Sequence, residues 1–516
     1  MGAGPANMTF QRLDIAAFAG FLLLVVGVSL YASRGNKSAA GYFLAGRNLP
    51  WWLIGFSLIA SNISTEHFVG MAGRGYDLGL AIASYEWMAA VTLVLVGLFF
   101  LPRFLAAGIY TIPEYLEFRY DVRTRTLMAG FILAAYVLVA LATVLYSGAL
   151  ALESIFGLDM SAGIWLIGVL AGGYTIYGGL KAVVWSDLIQ GVALLLGGVV
   201  VTVLGFRAMG GLGPFLEAAD GKLHTVLPLN HPEMPWLAVF IGGLWIPNIF
   251  YWGLNQFITQ RTLAARSLAD GQRGLFLAGF IKLFIPFIII FPGIMAAELF
   301  ADQVTNPDQA YPVMMRELLP AGLTGLMFAA LFGAVMSSLD SMLNSAATIF
   351  SVDLYKRHLR PESSSRRLMA VGRVTTGVLV VVACLWAPLV ARAPSVFEYI
   401  QMFWGFISPG IVAAFLFGIF ARRTPPAAAF GGMVLGIPVY GLLLWTLPEV
   451  AFLHHMAITF LAISAYIAVV TRARPLSAPR RLPRAADGVD LTPATGAGFW
   501  AGGVIAGAAV LYIIFW

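Results

Sequence analysis

Ala60-Ser61-Asn62-Ile63-Ser64-Thr65-Glu66-His67 is a polar string set inside an apolar run that starts near Trp51 and resumes with Phe68, Val69 and Met71. The run is long enough for a membrane helix, yet its centre carries Ser, Asn, Ser and Thr. In hydrocarbon an unsatisfied backbone or side-chain polar group costs several kcal/mol, so such a segment survives only where it faces protein or lines a cavity. Broken helices of this kind hold ions and solutes at mid-membrane. The string therefore predicts a polytopic membrane protein with a buried polar site.

Composition agrees. Of 516 residues, 60% are hydrophobic and 11% charged, against about 25% charged in soluble domains. The single cysteine, Cys384, lies in an apolar run and excludes a disulfide framework or thiolate metal site. The six histidines show no metal-ligand spacing. A formal charge of +6 would suggest nucleic acid in a soluble chain; here the positives fall in loops between spans, which reads as topology and not as nucleic-acid binding. The first apolar run, 13–33, lacks a small-residue cleavage site and reads as a retained helix.

Runs of ~20 apolar residues give fourteen expected spans, among them 50–72, 160–178 and 183–207. Arg34, Lys37 and Arg47 follow the first; Lys356, Arg357, Arg360, Arg366 and Arg367 the ninth; Arg472, Arg474, Arg480, Arg481 and Arg484 the thirteenth. The loop 208–234 instead holds Glu217, Asp220 and Glu233 against Lys222. The positive-inside rule then puts both termini outside. A second broken span is expected at Leu244-Trp245-Ile246-Pro247-Asn248-Ile249-Phe250-Tyr251-Trp252, where Pro247 removes a helix hydrogen bond and Asn248 adds a polar group at the same depth. It comes five spans after the first, as two inverted five-helix units would require. The expected organisation is an extra helix and loop (1–49), a first five-helix repeat (50–207), an outer loop (208–234), a second repeat (235–421), two further helices (422–474), a Pro- and Arg-rich linker (475–496) and a last helix (497–516).

Ser61-Asn62-Ile63-Ser64, Ala81-Ile82-Ala83-Ser84-Tyr85-Glu86-Trp87 and Gly108-Ile109-Tyr110-Thr111-Ile112-Pro113-Glu114-Tyr115 resemble the sodium/solute symporter family. So do Tyr177-Gly178-Gly179, Val184-Trp185-Ser186-Asp187, Asn255-Gln256, Gln260-Arg261-Thr262-Leu263-Ala264 and Ser337-Ser338. Within the family the chain is most similar to the sodium/glucose cotransporter branch, its bacterial sodium/galactose members above all, from about residue 40 to residue 470. The resemblance implies an all-α, LeuT-type five-plus-five inverted repeat with flanking helices in the plasma membrane, a bacterial inner membrane being expected.

The resemblance also implies the sites. Sodium would take the carbonyls of Ala60, Ile63 and Ala334 and the hydroxyls of Ser337 and Ser338. Ala334, Ser337 and Ser338 share one helix face, and a hard cation wants several oxygens; spacing alone favours hydroxyls that bond their own helix carbonyls, and the matched break turns the reading toward an ion. A monosaccharide needs convergent hydrogen-bond groups and an aromatic plate. The matching residues are Asn62, His67, Glu86, Asn248, Lys282 and Gln401, with Tyr251 and Trp252 as an inner gate and Met71, Tyr85 and Phe397 as an outer one. His67 replaces a glutamine of the bacterial galactose transporter, and Ala89 and Ala140 replace polar residues there, so selectivity is expected to differ. Asp187 matches a family aspartate on the sodium path. Asp340 does not match; with Asp187 and Ser341 it is expected to form a second cation site, a water-exposed carboxylate being the alternative reading.

Three other functions are weighed against transport. A sensor would carry an appended signalling domain. An enzyme would need a nucleophile beside a base, or a metal cluster, and the pattern contains neither. A channel would want a filter motif. The expected partners are a monosaccharide or a polyol such as myo-inositol, sodium (or, alternatively, protons) and the lipid bilayer.

Overall fold

The computed structural model describes residues 12–32, 34, 38–156, 158–390, 396–480, 482 and 489–516. Helices dominate, and among the described residues β-pairing is confined to isolated bridges such as Leu49 with Ala265. The helices used below are α1 (Arg12–Ala32), α2 (Trp51–Asn62), α3 (Ala72–Leu78), α4 (Ser84–Leu95), α5 (Val122–Ala135), α6 (Met160–Ala208), α7 (Trp245–Ile249), α8 (Gln256–Leu263), α9 (Leu268–Leu299), α10 (Leu323–Ile349), α11 (Ser365–Val390), α12 (Val396–Phe420), α13 (Pro426–Thr446), α14 (Phe452–Ala473) and α15 (Ala497–Ile514).

Among the described residues twelve helices are long and apolar enough to cross a membrane. Two of the expected spans are not among them as single helices. The run 50–72 is interrupted after Asn62, and the apolar helix at Met160–Gly173 is shorter than a full crossing. α6 extends over 49 residues, ~73 Å at 1.5 Å per residue and more than twice the hydrocarbon thickness. It is not one straight rod. Gly179 sits at φ 60°, ψ −161°, a conformation no helix holds, and a side chain there would meet the Tyr42 backbone oxygen at 2.5 Å. The break falls between the expected spans 160–178 and 183–207.

Burial separates core from rim. The most apolar window of α10 and its continuation to Leu359 is 94% buried and that of α9 is 72% buried, against 17% for α1 and 22% for α15. α9 packs on α2, α3 and α4, and α10 packs on α6. α1 lies against both α6 and α10. The α3–α9 approach depends on Gly293, where an added Cβ would meet the Ala72 carbonyl oxygen at 2.0 Å. The rim helices present Leu23, Leu196, Val374, Leu385, Leu461 and Phe499 outward, which in a bilayer is burial in lipid and carries no hydrophobic cost.

Both broken helices carry a π-helical turn beside the break. In the first, α2 ends and Ile63 turns extended (φ −79°, ψ 108°); the π-turn Glu66–Met71 follows. In the second, the π-turn Phe250–Leu254 comes before Asn255 turns extended (φ −85°, ψ 123°). π-turns widen the backbone ladder and recur at functional sites.

The second break is displaced from its expected place. Pro247 does not interrupt a helix, because α7 begins only at Trp245 and a proline in a first turn sacrifices no helical hydrogen bond. The chain leaves helical geometry at Asn255 instead.

Candidate functional site

The last carbonyls of a helix have no partner within it. At the end of α2, Ile59 still accepts from the Ile63 N–H at 2.8 Å, so Ala60 and Ser61 are the first carbonyls left over. α10 reaches them with two adjacent hydroxyls. Ser337 Oγ lies 3.3 Å from the Ala60 oxygen, and Ser338 Oγ donates to the Ser61 oxygen at 3.3 Å. Oxygens at that separation can share one hard cation at ~2.3–2.6 Å. Ala334, Ser337 and Ser338 are buried on α10, and Ala60 and Ile63 are buried at the end of α2. Of the five residues expected to hold sodium, Ser337 thus meets Ala60, while Ser338 meets the carbonyl of Ser61, which was not among them.

Asp187, on α6, adjoins this oxygen cluster. Its Oδ1 accepts from Ser337 Oγ. Its Oδ2 accepts from Ser57 Oγ, from Ser61 Oγ at 3.0 Å and from Arg261 Nη2 at 2.9 Å. Arg261, on α8, also donates to Ser57, Ser61 and Ser341. The ion pair is wholly buried. A positive charge therefore already stands beside Asp187 and Ser341, where a second cation was expected. Asp340 is buried on the same helix as Ser341. Among the described residues no group of three or more His, Cys, Asp or Glu side chains could hold a metal ion.

On the other side of the break lies a cavity of about 100 Å³ lined by residues including Asn62, Glu66, His67, Met71, Tyr85, Glu86, Asn248, Tyr251, Trp252 and Gln401. Most of the residues expected to touch a solute are thus on one wall. Asn62 Nδ2 donates to the Tyr251 hydroxyl at 3.1 Å and ties the two broken helices together. Glu86 holds Lys282 at 2.6 Å and faces His67 Nε2 at 3.5 Å. Lys282 is placed differently from expectation: its side chain is fully buried behind the wall, bonded to Asn62 and Glu86 and 4.8 Å from the Trp252 ring centre. It orients two wall residues from behind. Asn248 spends its amide on the Leu244 carbonyl at 3.0 Å, leaving its oxygen for the cavity. Ala89 also lines it. The Phe397 side chain lies outside the described residues.

Sequence reading passed over Phe250, Ile400 and Trp404, which complete the apolar part of the wall; the Phe250 and Trp404 rings are 5.3 Å apart. It also left Arg261 and Glu66 without roles, although both stand in quoted motifs. The free volume is below the ~300 Å³ of ordinary ligand pockets.

Two facing broken helices, a polar cavity on one side of the break and an oxygen cluster on the other define a secondary transporter. Comparison with known proteins sharpens this. A solved Na⁺-coupled sialic acid symporter, in a substrate-bound outward-open state, matches with TM-score 0.83 over 92% of this chain and 100% of that one. At 24% identity that match shows the shared LeuT-type fold. A sodium/glucose cotransporter of Vibrio parahaemolyticus is 43% identical over 88% of this chain and 89% of its own. A sodium/myo-inositol cotransporter 2 of Sus scrofa is 35% identical over 83% and 69%. The Sodium:solute symporter pattern matches residues 42–436. The chain belongs to the Sodium:solute symporter family: it is a multi-pass membrane protein, and sodium is its coupling ion.

Proposed function

We propose that the chain imports a monosaccharide with sodium by alternating access across a bacterial plasma membrane. The observation that carries this is the break at Ala60–His67, whose backbone faces Ser337 and Ser338 while Asn62 and His67 face the cavity. Sodium between Ala60, Ile63, Ala334, Ser337 and Ser338 would clamp α10 onto the break and fix Asn62. Fixing Asn62 orients the wall on which a sugar would rest, with Glu86, Asn248 and Gln401 offering polar atoms and Tyr251 and Trp404 offering ring faces. Rupture of the Asn62–Tyr251 bond would free the second broken helix to move. Sodium drives uptake only if it binds one state better than the other. The names of the Vibrio and pig relatives support glucose-type sugars first and myo-inositol as the second reading.

The test is uptake of labelled glucose, galactose and myo-inositol into proteoliposomes under a sodium gradient, with potassium replacing sodium as control. Sodium-driven accumulation that Ser338→Ala shifts to higher sodium concentrations supports the reading. Accumulation driven equally by protons overturns sodium coupling, and no uptake of any of the three overturns the sugar assignment.

A further inference from the structure

The cavity holds one carboxylate that the mechanism above does not use. Glu66 opens the π-turn directly after the first break, and its backbone N–H is held by Ser64 Oγ at 3.3 Å. Its side chain lines the cavity between the two broken helices. The other carboxylate there, Glu86, is met by Lys282 at 2.6 Å and by His67 at 3.5 Å. Lys282 and Glu86 cancel. Glu66 has no ion pair and no side-chain hydrogen bond among the described residues, and the lining includes no Lys or Arg. When ionised, Glu66 therefore places one uncompensated negative charge on a cavity wall that is otherwise largely aromatic and apolar.

A carboxylate in such a place is costly unless a ligand completes it. Its two oxygens accept hydrogen bonds and donate none. Two neighbouring sugar hydroxyls suit it, and an ammonium suits it better, because charge-assisted bonds are roughly twice as strong as neutral ones. A second carboxylate brought into the same low-dielectric space is repelled. We propose that Glu66 sets the charge class of the solute, admitting neutral and amino sugars and rejecting sugar acids. This rests on the cavity being the sugar site.

The experiment measures binding of glucosamine, glucose and glucuronate to the purified full chain in sodium, by ligand-induced thermal stabilisation, just above neutral pH, where the amine is still largely protonated and the carboxylate is ionised. Wild type is expected to rank glucosamine at or above glucose and both above glucuronate by at least about tenfold. Glu66→Gln should collapse the glucosamine-to-glucuronate ratio by roughly that factor, and Glu66→Asp should keep the order. Glucuronate binding wild type as well as glucosamine would overturn the proposal, whether or not the variants fold. So would an unchanged ratio in Glu66→Gln. Sodium-driven uptake on the same preparation separates the two readings. Lost uptake with the ranking intact removes coupled transport alone; intact uptake with the ranking unchanged in Glu66→Gln removes the role of Glu66 alone.

Discussion

The Glu86–Lys282 pair admits a quantitative test of whether it serves binding or only packing. Two unit charges 2.6 Å apart attract by about 6 kcal/mol at an effective dielectric constant of 20. Desolvation offsets most of that, so the pair is near neutral against apolar residues of similar size, whereas removing one partner costs about 3–5 kcal/mol. Lys282→Met strands Glu86 beside His67, and Glu86→Gln strands Lys282 beside Asn62. Each single variant should lower stability by that amount, and the double variant Glu86→Gln/Lys282→Met should recover most of it. Binding should behave otherwise. Glu86 lines the cavity and Lys282 fixes Asn62, so solute affinity should fall at least about tenfold in the double variant although its stability is restored, a loss of ~1.4 kcal/mol. The assay is denaturation of purified protein in parallel with sodium-dependent binding. A double variant that binds as well as wild type would refute the role given to the pair and leave it a packing element.

At the proposed sodium site Ser338→Ala would remove one ligand and leave the Ser61 carbonyl without its partner; the sodium concentration for half-maximal uptake should rise roughly tenfold, corresponding to ~1–2 kcal/mol, which a sodium titration of transport reads. Gly179→Ala places a Cβ where φ is 60° and Tyr42 is 2.5 Å away; a loss of about 1–3 kcal/mol from backbone strain alone is expected, checked by thermal unfolding. In the short helix Ile112–Arg119 that precedes α5, burial raises the Glu117 carboxyl pKa, but hydrogen bonds from Arg357 and Arg125 outweigh it and hold the group below its ordinary 4.5. A depressed folded value means that the clasp stabilises above 4.5 and is lost as pH falls through the folded value. Acid unfolding curves should therefore show a steeper limb below that pH in wild type than in Glu117→Gln.

What the sequence could reveal followed from how far each signal reaches along the chain. The first break was legible because polar residues in an apolar run have one affordable environment. Spacing put Ser337 and Ser338 on one helix face, but only the family resemblance pointed them at an ion and not at their own helix carbonyls. The second break was placed too early. Proline signals a broken helix only when it lies inside one, and Leu254-Asn255-Gln256, where the chain does leave helical geometry, carries neither proline nor glycine. The role of Arg261 was hidden because its carboxylate lies 74 residues away, on a helix whose packing no local pattern encodes. Lys282 was found as an intramembrane charge, but its position behind the wall depends on three helices meeting. Glu66 stood in the opening string throughout. Its meaning lies in which neighbours fail to reach it, and that is a property of the assembled cavity.

One eight-residue stretch supplies backbone to the proposed sodium site from Ala60 and Ser61 and side chains to the cavity from Asn62, Glu66 and His67. Linkage at such a shared element is reciprocal. Whatever factor sodium adds to the affinity for the solute, the solute must return to the affinity for sodium. A solute analogue that binds the wall without engaging Asn62 would then occupy the protein and leave its grip on the ion unchanged. The energy of the gradient would have no purchase on that analogue, and it would act as an inhibitor rather than as cargo.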